Sequence, residues 1–128
     1  MKLLMVHHNG KAKVLRLHMQ EAEDCFIRAA CQELGDIPSC REVNGILENA
    51  TALEYSIKDA KAEGFYLNMP VYYMNNDIEE KTLTYGPVLL AKKIYRNGED
   101  FILGLSDREI KMLCSKMRIH PDNLRQHL

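Results

Sequence analysis

The chain of 128 residues lacks the features by which several protein classes are recognised. Its four cysteines, Cys25, Cys31, Cys40 and Cys114, form no Cys-x-x-Cys pair. Its apolar runs are too short for a secretory signal or a membrane span. The formal net charge is only −1, so the protein as a whole does not attract nucleic acid or an anionic membrane. These absences favour a cytoplasmic protein with reduced thiols and no membrane association.

Signatures of common catalytic and metal sites are also missing. The seven glycines are scattered at turns and form neither a phosphate-binding loop nor a Gly-x-Ser-x-Gly motif. His7, His8 and His18 could converge as ligands on one hairpin, but their spacing matches no standard zinc site. A cysteine nucleophile needs a positioned base, and no local motif supplies one. We therefore expect no metal, no cofactor and no catalytic residues, and a binding protein rather than an enzyme.

The amounts of apolar and charged residues are those of an ordinary globular domain. Hydrophobic residues make up 46% of the chain and charged residues 27%, which is far from a disordered composition. A chain of this length buries about two thirds of its unfolded surface and needs no covalent support. Residues 1–128 are therefore expected to form a single domain.

Two Asn-Gly pairs predict β-hairpins, because this dipeptide accepts positive φ at both central positions of a tight turn. They are Asn9-Gly10 and Asn97-Gly98, and the second places Arg96 opposite Glu99. The strands predicted from turns and from β-branched or aromatic runs cover residues 2–8, 12–19, 66–74, 82–85, 88–96 and 99–103.

Three stretches have the apolar spacing of amphipathic helices. The first covers residues 20–34. The second covers residues 39–60 and starts with a capping box at Ser39; a helical dimer seam is an alternative role for its heptad-like stripe. The third covers residues 106–118 and also starts with a capping signature, at Ser106.

The C-terminal residues 106–128 resemble a helix-turn-helix. The pattern of the third helix stops at His120-Pro121 and restarts at Leu124 as a second, short helix. The resemblance implies DNA binding by a dimer, and the residues expected to face a groove are Arg118, Arg125, Gln126 and His127. The alternative is a helical hairpin that only caps the sheet.

The predicted order of elements is ββ-αα-ββββ-αα. Hairpins grouped apart from helices are typical of the α+β class. The predicted fold is therefore a mainly antiparallel sheet of two or three hairpins, with helices packed on it and a C-terminal helical pair.

Aromatic residues concentrate in the strand region. Consecutive Tyr72 and Tyr73 must point to opposite faces of a strand, so at most one of them can join a given core. Together with Asn75 and Asn76 they predict a protein-binding face. An alternative is a stacking platform for single-stranded nucleic acid, whose basic residues would be Lys92, Lys93 and Arg96.

Two segments resemble small uncharacterised accessory proteins carried by phages and conjugative elements. Gly98-Glu99-Asp100-Phe101 followed by Leu105-Ser106-Asp107-Arg108-Glu109-Ile110 is similar to their closing hairpin and helix, and Met1-Lys2-Leu3-Leu4-Met5-Val6 is similar to their start. The resemblance implies an accessory protein, and it carries over no established activity.

The function predicted from the sequence is binding to another protein, as an accessory or inhibitory factor. One alternative is a DNA-binding regulator that acts as a homodimer through the C-terminal segment. Another is a small enzyme or ligand-binding domain with a pocket between sheet and helices. The three differ in the structure they require: a continuous exposed patch, an exposed basic second helix, or a deep polar pocket.

Overall fold

A computed structural model describes residues 1–17, 32–34, 38–74 and 78–126, without the side chains of residues 74, 78–80 and 126. In these ranges the chain is mostly β. The strands are β1 (Lys2–Val6), β2 (Ala12–Arg16), β3 (Pro38–Val43), β4 (Thr51–Ile57), β5 (Leu67–Asn68), β6 (Val71–Met74), β7 (Ile78–Lys81), β8 (Thr84–Tyr85), β9 (Val88–Arg96), β10 (Glu99–Leu103) and β11 (Leu124–Gln126). The helical elements are α1 (Asp107–Lys116), the described helical residues 32–34, and two 3-10 turns, His8–Gly10 and Pro121–Asn123.

Seven strands form the main sheet, in the order β11-β2-β1-β9-β4-β3, with β10 pairing to β9 as well. The long strand β9 pairs with β1 through residues 88–90 and with β10 through residues 92–96. Neighbouring strands are antiparallel, apart from β11, which runs parallel to β2. Two separate ribbons are formed by β5 with β8 and by β6 with β7.

The sheet is apolar on both faces. Side chains alternate along each strand, so Leu4 and Leu90 lie on the face covered by α1 and β6, whereas Leu3 and Leu89 lie on the opposite face, where Leu34 packs. The exposed fraction of each of these side chains in β1 and β9 is 1% or less. Full burial of one leucine contributes about 1.5–3 kcal/mol, so β1 and β9 form the centre of the core.

Both predicted Asn-Gly hairpins are confirmed. Asn9 and Gly10 have φ of 62° and 69°, and β1 pairs with β2 around them. At the second hairpin Asn97 also has positive φ, and Arg96 lies opposite Glu99 as predicted. Local turn chemistry therefore determines these two reversals.

The helix predicted from Ser106 is confirmed as α1. The Ser106 hydroxyl accepts a hydrogen bond from the Glu109 N–H at 3.1 Å, and the Glu109 carboxylate accepts one from the Ser106 N–H at 2.8 Å. The reciprocal pair satisfies two N–H groups that have no partner within the helix. Ile110 and Leu113 then bury one side of α1 against the sheet.

The helix predicted over residues 39–60 is wrong, because this segment forms the hairpin of β3 and β4. Of the apolar positions that suggested a helical stripe, Leu53 and Ile57 belong to β4, whereas Ile46, Ala50 and Ala60 lie in the connections. Tyr55 and Ile57 favour extended backbone and both are buried in β4. The connection contains Gly45 and Asn49 with φ of 80° and 59°, values that a helix does not accommodate.

The second helix of the predicted C-terminal pair is also wrong. After α1 the chain forms one 3-10 turn and then β11. Leu124 pairs with Ala12 of β2, and its side chain packs on the apolar cluster beneath α1. A helix of two turns is marginal alone, and pairing with a distant strand satisfies the same backbone groups.

The predicted α+β class, with helices packed on the sheet and a helical pair at the C-terminus, is therefore corrected to a mostly β fold. The helix predicted over residues 20–34 lies outside the described residues, apart from residues 32–34, which are helical. None of the helices in the described ranges is long and apolar enough to cross a membrane.

Candidate functional site

Of the predicted protein-binding residues the structure describes Tyr72 and Tyr73, which are consecutive in β6. Tyr72 is fully buried, and its hydroxyl donates a hydrogen bond of 2.6 Å to the buried carboxylate of Glu54. Tyr73 is half-buried on the other side of β6. Asn75 and Asn76 lie outside the described residues, so their role stays a prediction.

The described residues predicted to bind DNA lie at two different elements. Arg118 follows α1, Arg125 and Gln126 belong to β11, and His127 lies outside the described residues. None of the first three lies on a second helix that could enter a groove of DNA. Arg118 and Arg125 instead border two different grooves.

The basic residues of the predicted stacking platform are largely neutralised. Lys92 forms an ion pair of 2.7 Å with Glu109, and Lys93 forms one with Glu42. Glu42 holds the pKa of Lys93 above its usual range, chiefly through a hydrogen bond. Arg96 is exposed at the end of β9. With two of three cations paired to carboxylates, this part of β9 offers little attraction to phosphates.

A cluster of two histidines and a tyrosine lies where β1 ends. His7 Nδ1 lies 2.7 Å from the Tyr66 hydroxyl oxygen, and the His8 ring centroid lies 4.4 Å from that of Tyr66. Burial, with help from Lys13 and His8, lowers the pKa of His7, and burial raises the pKa of Tyr66. Both shifts favour the neutral forms, which suits a hydrogen bond between imidazole and phenol.

Asn68 of β5 positions the tyrosine of this cluster. Its buried side-chain amide donates hydrogen bonds to the carbonyl oxygens of Val6 at 3.2 Å and Gly86 at 2.9 Å. The Gly86 N–H donates in turn to the Tyr66 carbonyl oxygen at 2.7 Å. The β5–β8 ribbon is thereby tied to the end of β1, so Tyr66 is held against His7.

A groove of about 580 Å³, here called the helix-side groove, opens between this cluster and the end of α1. Leu67 and Met69 line it with exposed fractions of 47% and 46%. Its other lining residues include Val71, Tyr73, Met117, Arg118 and Ile119, together with His7 and His8. The helix-side groove thus combines apolar side chains with polar groups and the cation of Arg118.

Arg118 is held in place by the end of α1. The Arg118 N–H donates to the Ser115 carbonyl and the Ile119 N–H donates to the Cys114 carbonyl, a pattern typical of the Schellman motif. The motif places residue 118 in the left-handed region, with φ of 54°. Glycine is the residue most common at this position, but here an arginine lies with its guanidinium carbon 3.6 Å from the centroid of the Tyr73 ring.

A second groove, of about 450 Å³, lies on the other side of the histidines and is here called the strand-side groove. Lys13 of β2 and Arg125 of β11 are directly opposite each other in the parallel ladder. The groove is lined by His7, His8, Lys11, Ala12, Lys13, Tyr66, Asp122, Asn123 and Arg125. His7 and His8 therefore border both grooves.

The two grooves concentrate positive charge on a chain whose net charge is −1. Among the ion pairs formed by described residues, none includes Lys11, Lys13, Arg118 or Arg125. Asp122 is the one carboxylate among the described lining residues, and its Oδ2 lies 3.4 Å from His120 Nδ1. The grooves are therefore suited to an anionic ligand.

The geometry of the described residues does not support a metal site at the histidines. In residues 1–17, 32–34, 38–74 and 78–126, no three side chains of His, Cys, Asp or Glu are grouped as they are around a metal ion. His18, the third predicted ligand, lies outside these ranges.

Comparison of the chain with protein-family models, curated proteins and solved structures gives no match. The resemblance of its closing hairpin and helix to phage and conjugative-element accessory proteins therefore stays a prediction. Functional inference depends on the site itself.

Sequence reasoning singled out His7, His8, Arg118 and Arg125 separately but did not join them. It missed Leu67 and Lys13 as site residues, and it named Tyr66 only among the aromatic residues of the predicted stacking platform. The one available signal was the basic alternation of Lys11 and Lys13 after the first Asn-Gly turn. The rest of the site depends on pairing between β2 and β11, which the local pattern does not contain.

Proposed function

We propose that the protein works by binding another protein, and that the helix-side groove receives a segment of that partner with apolar side chains and a carboxylate. The observation that carries the proposal is the position of Leu67 and Met69, each about half exposed, beside the cation of Arg118. The proposed role is that of an accessory or inhibitory factor, in a reducing cytoplasm where Cys40 and Cys114 stay as free thiols.

The apolar part of the groove argues for a protein partner. Buried side chains such as Met117 and Ile119 form its floor, and Leu67 and Met69 extend it to the surface. Full burial of a leucine or methionine contributes about 1.5–3 kcal/mol, and the exposed half of each side chain is still available to a partner. Apolar side chains of this kind, next to an arginine, are typical of the centre of a protein interface.

The charge of the groove argues for a carboxylate in the partner. Arg118 presents its guanidinium at the rim over Tyr73, and its planar group can bond both oxygens of a carboxylate. No acidic side chain is among the described residues that line this groove. A segment that alternates apolar and acidic residues therefore matches both properties of the surface.

The proposal is tested with a synthetic peptide of alternating leucine and glutamate, titrated against the protein by calorimetry. We expect saturable binding that weakens about tenfold, or about 1.4 kcal/mol, in the double variant Leu67→Ser, Met69→Ser. Leu83→Ser is the matched control, because Leu83 is 66% exposed and is not among the described residues lining either groove.

Two results would contradict this function. One is equal binding of a peptide of alternating leucine and lysine, which would show that charge plays no part. The other is equal weakening by Leu83→Ser and by the double variant, which would place the contact elsewhere. Sedimentation of the protein alone tests whether a second copy of the chain occupies the groove. If the parent protein is a dimer and the double variant is a monomer, the occupant is a second copy.

A small-ligand site is a second candidate function, favoured by one observation. His7 and Tyr66 are hydrogen bonded at 2.7 Å on the wall of the strand-side groove, as in sites that hold polar ligands between paired donors and acceptors. The DNA-binding alternative depended on a second C-terminal helix, and the chain forms β11 there instead. Binding of nucleic acid is therefore not proposed, but the tests below would detect it.

A further inference from the structure

We propose that the strand-side groove is a binding site for a small phosphorylated molecule, with the phosphoryl oxygens held by Lys13, Arg125 and Lys11. This site is separate from the protein-binding surface proposed for the helix-side groove, and neither proposal depends on the other. The observation that supports it is that the strand register places two cations, Lys13 and Arg125, side by side.

The register of β2 and β11 brings two cations together. Lys13 and Arg125 are direct partners in the parallel ladder, and like charges in facing positions destabilise a sheet. Asp122, the described carboxylate nearest in the lining, is directed to His120 at 3.4 Å. An anion in the groove would remove the repulsion between the two cations. Binding of a phosphoryl group therefore explains why Lys13 and Arg125 face each other without a carboxylate from the described residues paired to either.

Lys11 adds a third cation from the same strand segment. It precedes Lys13 by two residues, and side chains two residues apart in extended backbone point to the same side. Its carbonyl oxygen accepts a hydrogen bond of 2.7 Å from the His7 N–H, which fixes the backbone of the turn beside the histidines. Ammonium and guanidinium groups that converge in this way are typical of phosphate recognition.

His7 and Tyr66 supply uncharged hydrogen-bonding groups to the same groove. The Tyr66 hydroxyl occupies His7 Nδ1, so the remaining ring nitrogen, Nε2, is the one left to meet a ligand. When the phenol donates to Nδ1, Nε2 carries the imidazole proton and is a donor. A phosphoryl group in the groove then meets both the cations and a neutral donor.

The groove has room for more than a phosphoryl group. Its volume of about 450 Å³ lies within the roughly 300–1,000 Å³ that is usual for small-molecule sites. His8 and Tyr66 form a tilted pair of rings at its edge, with their planes 53° apart. The ligand class is therefore a phosphorylated small molecule, in which the part beyond the phosphate can contact these rings.

The test uses pyrophosphate as the probe and follows the ring signals of His7 and His8 by NMR at constant ionic strength. We expect saturable shifts of both rings. Lys13→Ala and Arg125→Ala should each weaken binding about tenfold, and Lys111→Ala, an exposed residue of α1, should leave it unchanged. Leu67→Ser, Met69→Ser should also leave it unchanged, which separates this test from that of the protein-binding groove.

A second set of ligands identifies the source of the phosphoryl group. A nucleoside diphosphate that binds more tightly than pyrophosphate supports the site and assigns a role to the rings, and equal affinity supports a site for the phosphoryl group alone. The proposal is overturned if the parent nucleoside binds as well as its diphosphate, or if pyrophosphate shifts match those produced by chloride. It is also overturned if a single-stranded oligonucleotide binds and pyrophosphate does not.

Discussion

The guanidinium of Arg118 stacks on Tyr73 from a residue whose backbone is in the left-handed conformation. The guanidinium carbon lies 3.6 Å from the ring centroid, and φ of Arg118 is 54°. A residue other than glycine loses about 1–2 kcal/mol in that conformation, whereas a cation–π contact at a partly exposed position returns about 0.5–1 kcal/mol. The stacking thus does not offset the strain, and a role of Arg118 in binding would explain why arginine stands there.

The first prediction is that Arg118→Gly raises the free energy of unfolding or leaves it unchanged, while it weakens binding of the Leu-Glu peptide. Glycine relieves the backbone strain but removes the groove cation. Arg118→Ala keeps the strain and loses the stacking, so it should lower stability by about 0.5–1 kcal/mol. Urea unfolding and peptide calorimetry on both variants measure these effects. Lower stability in the glycine variant than in the alanine variant would contradict the backbone argument.

The second prediction concerns the buried pair of Tyr72 and Glu54. Tyr72→Phe removes a hydrogen bond of 2.6 Å to a carboxylate that is 2% exposed, and a buried acceptor that loses a partner destabilises a protein by about 1–3 kcal/mol. Tyr73→Phe is the control, since stacking with Arg118 needs the ring and not the hydroxyl. Thermal unfolding should separate the two variants, and equal midpoints would mean that Glu54 does not need the phenol.

The third prediction distinguishes two reasons for a glycine. A Cβ at Gly104 would lie 2.9 Å from Met1 Cβ and 3.0 Å from the Lys2 backbone, whereas a Cβ at Gly10 meets nothing within 4 Å, although its φ is 69°. Gly104→Asn should therefore destabilise by at least about 1–3 kcal/mol through overpacking. Gly10→Asn should be tolerated, because asparagine accepts positive φ. Urea midpoints that rank the two variants in the opposite order would refute the steric explanation.

The fourth prediction is a pH dependence of stability that arises from His7. Its pKa in the folded protein is lowered from the usual 6.5, so below that pH the unfolded chain binds a proton at His7 that the folded chain does not. Stability from this residue is complete above pH 6.5 and is lost as pH falls toward the folded pKa. His7→Gln should flatten this part of the profile in urea titrations between pH 5 and 7, and an identical slope in both proteins would refute it.

Features with a local cause could be predicted from the sequence. The turn at Asn97-Gly98 and the cap at Ser106 each depend on a few consecutive residues, and both are present in the structure. The central strand β9 was also predicted with its bounds, because Gly86-Pro87 precedes it and the Asn97-Gly98 turn ends it.

Features that depend on distant pairing could not be predicted. The apolar spacing between Val43 and Ala60 fits a helix as well as a hairpin, and pairing of β4 with β9 decides between them. Leu124 likewise becomes part of a strand because β2 offers a free edge. The grooves depend on these strand pairings. Individual groove residues could therefore be identified from the sequence, but their grouping into one site could not.

The position of β1 between β2 and β9 has a consequence for synthesis of the protein on the ribosome. Leu4 pairs with Val14 soon after both are made, but its partner on the other side, Leu90, lies 86 positions later in the chain. Synthesis from Val14 to Leu90 takes roughly 4–15 seconds at about 5–20 residues per second. During this time both edges and both apolar faces of the nascent hairpin are uncovered. During translation this stretch is therefore a natural target for chaperones that recognise extended apolar segments.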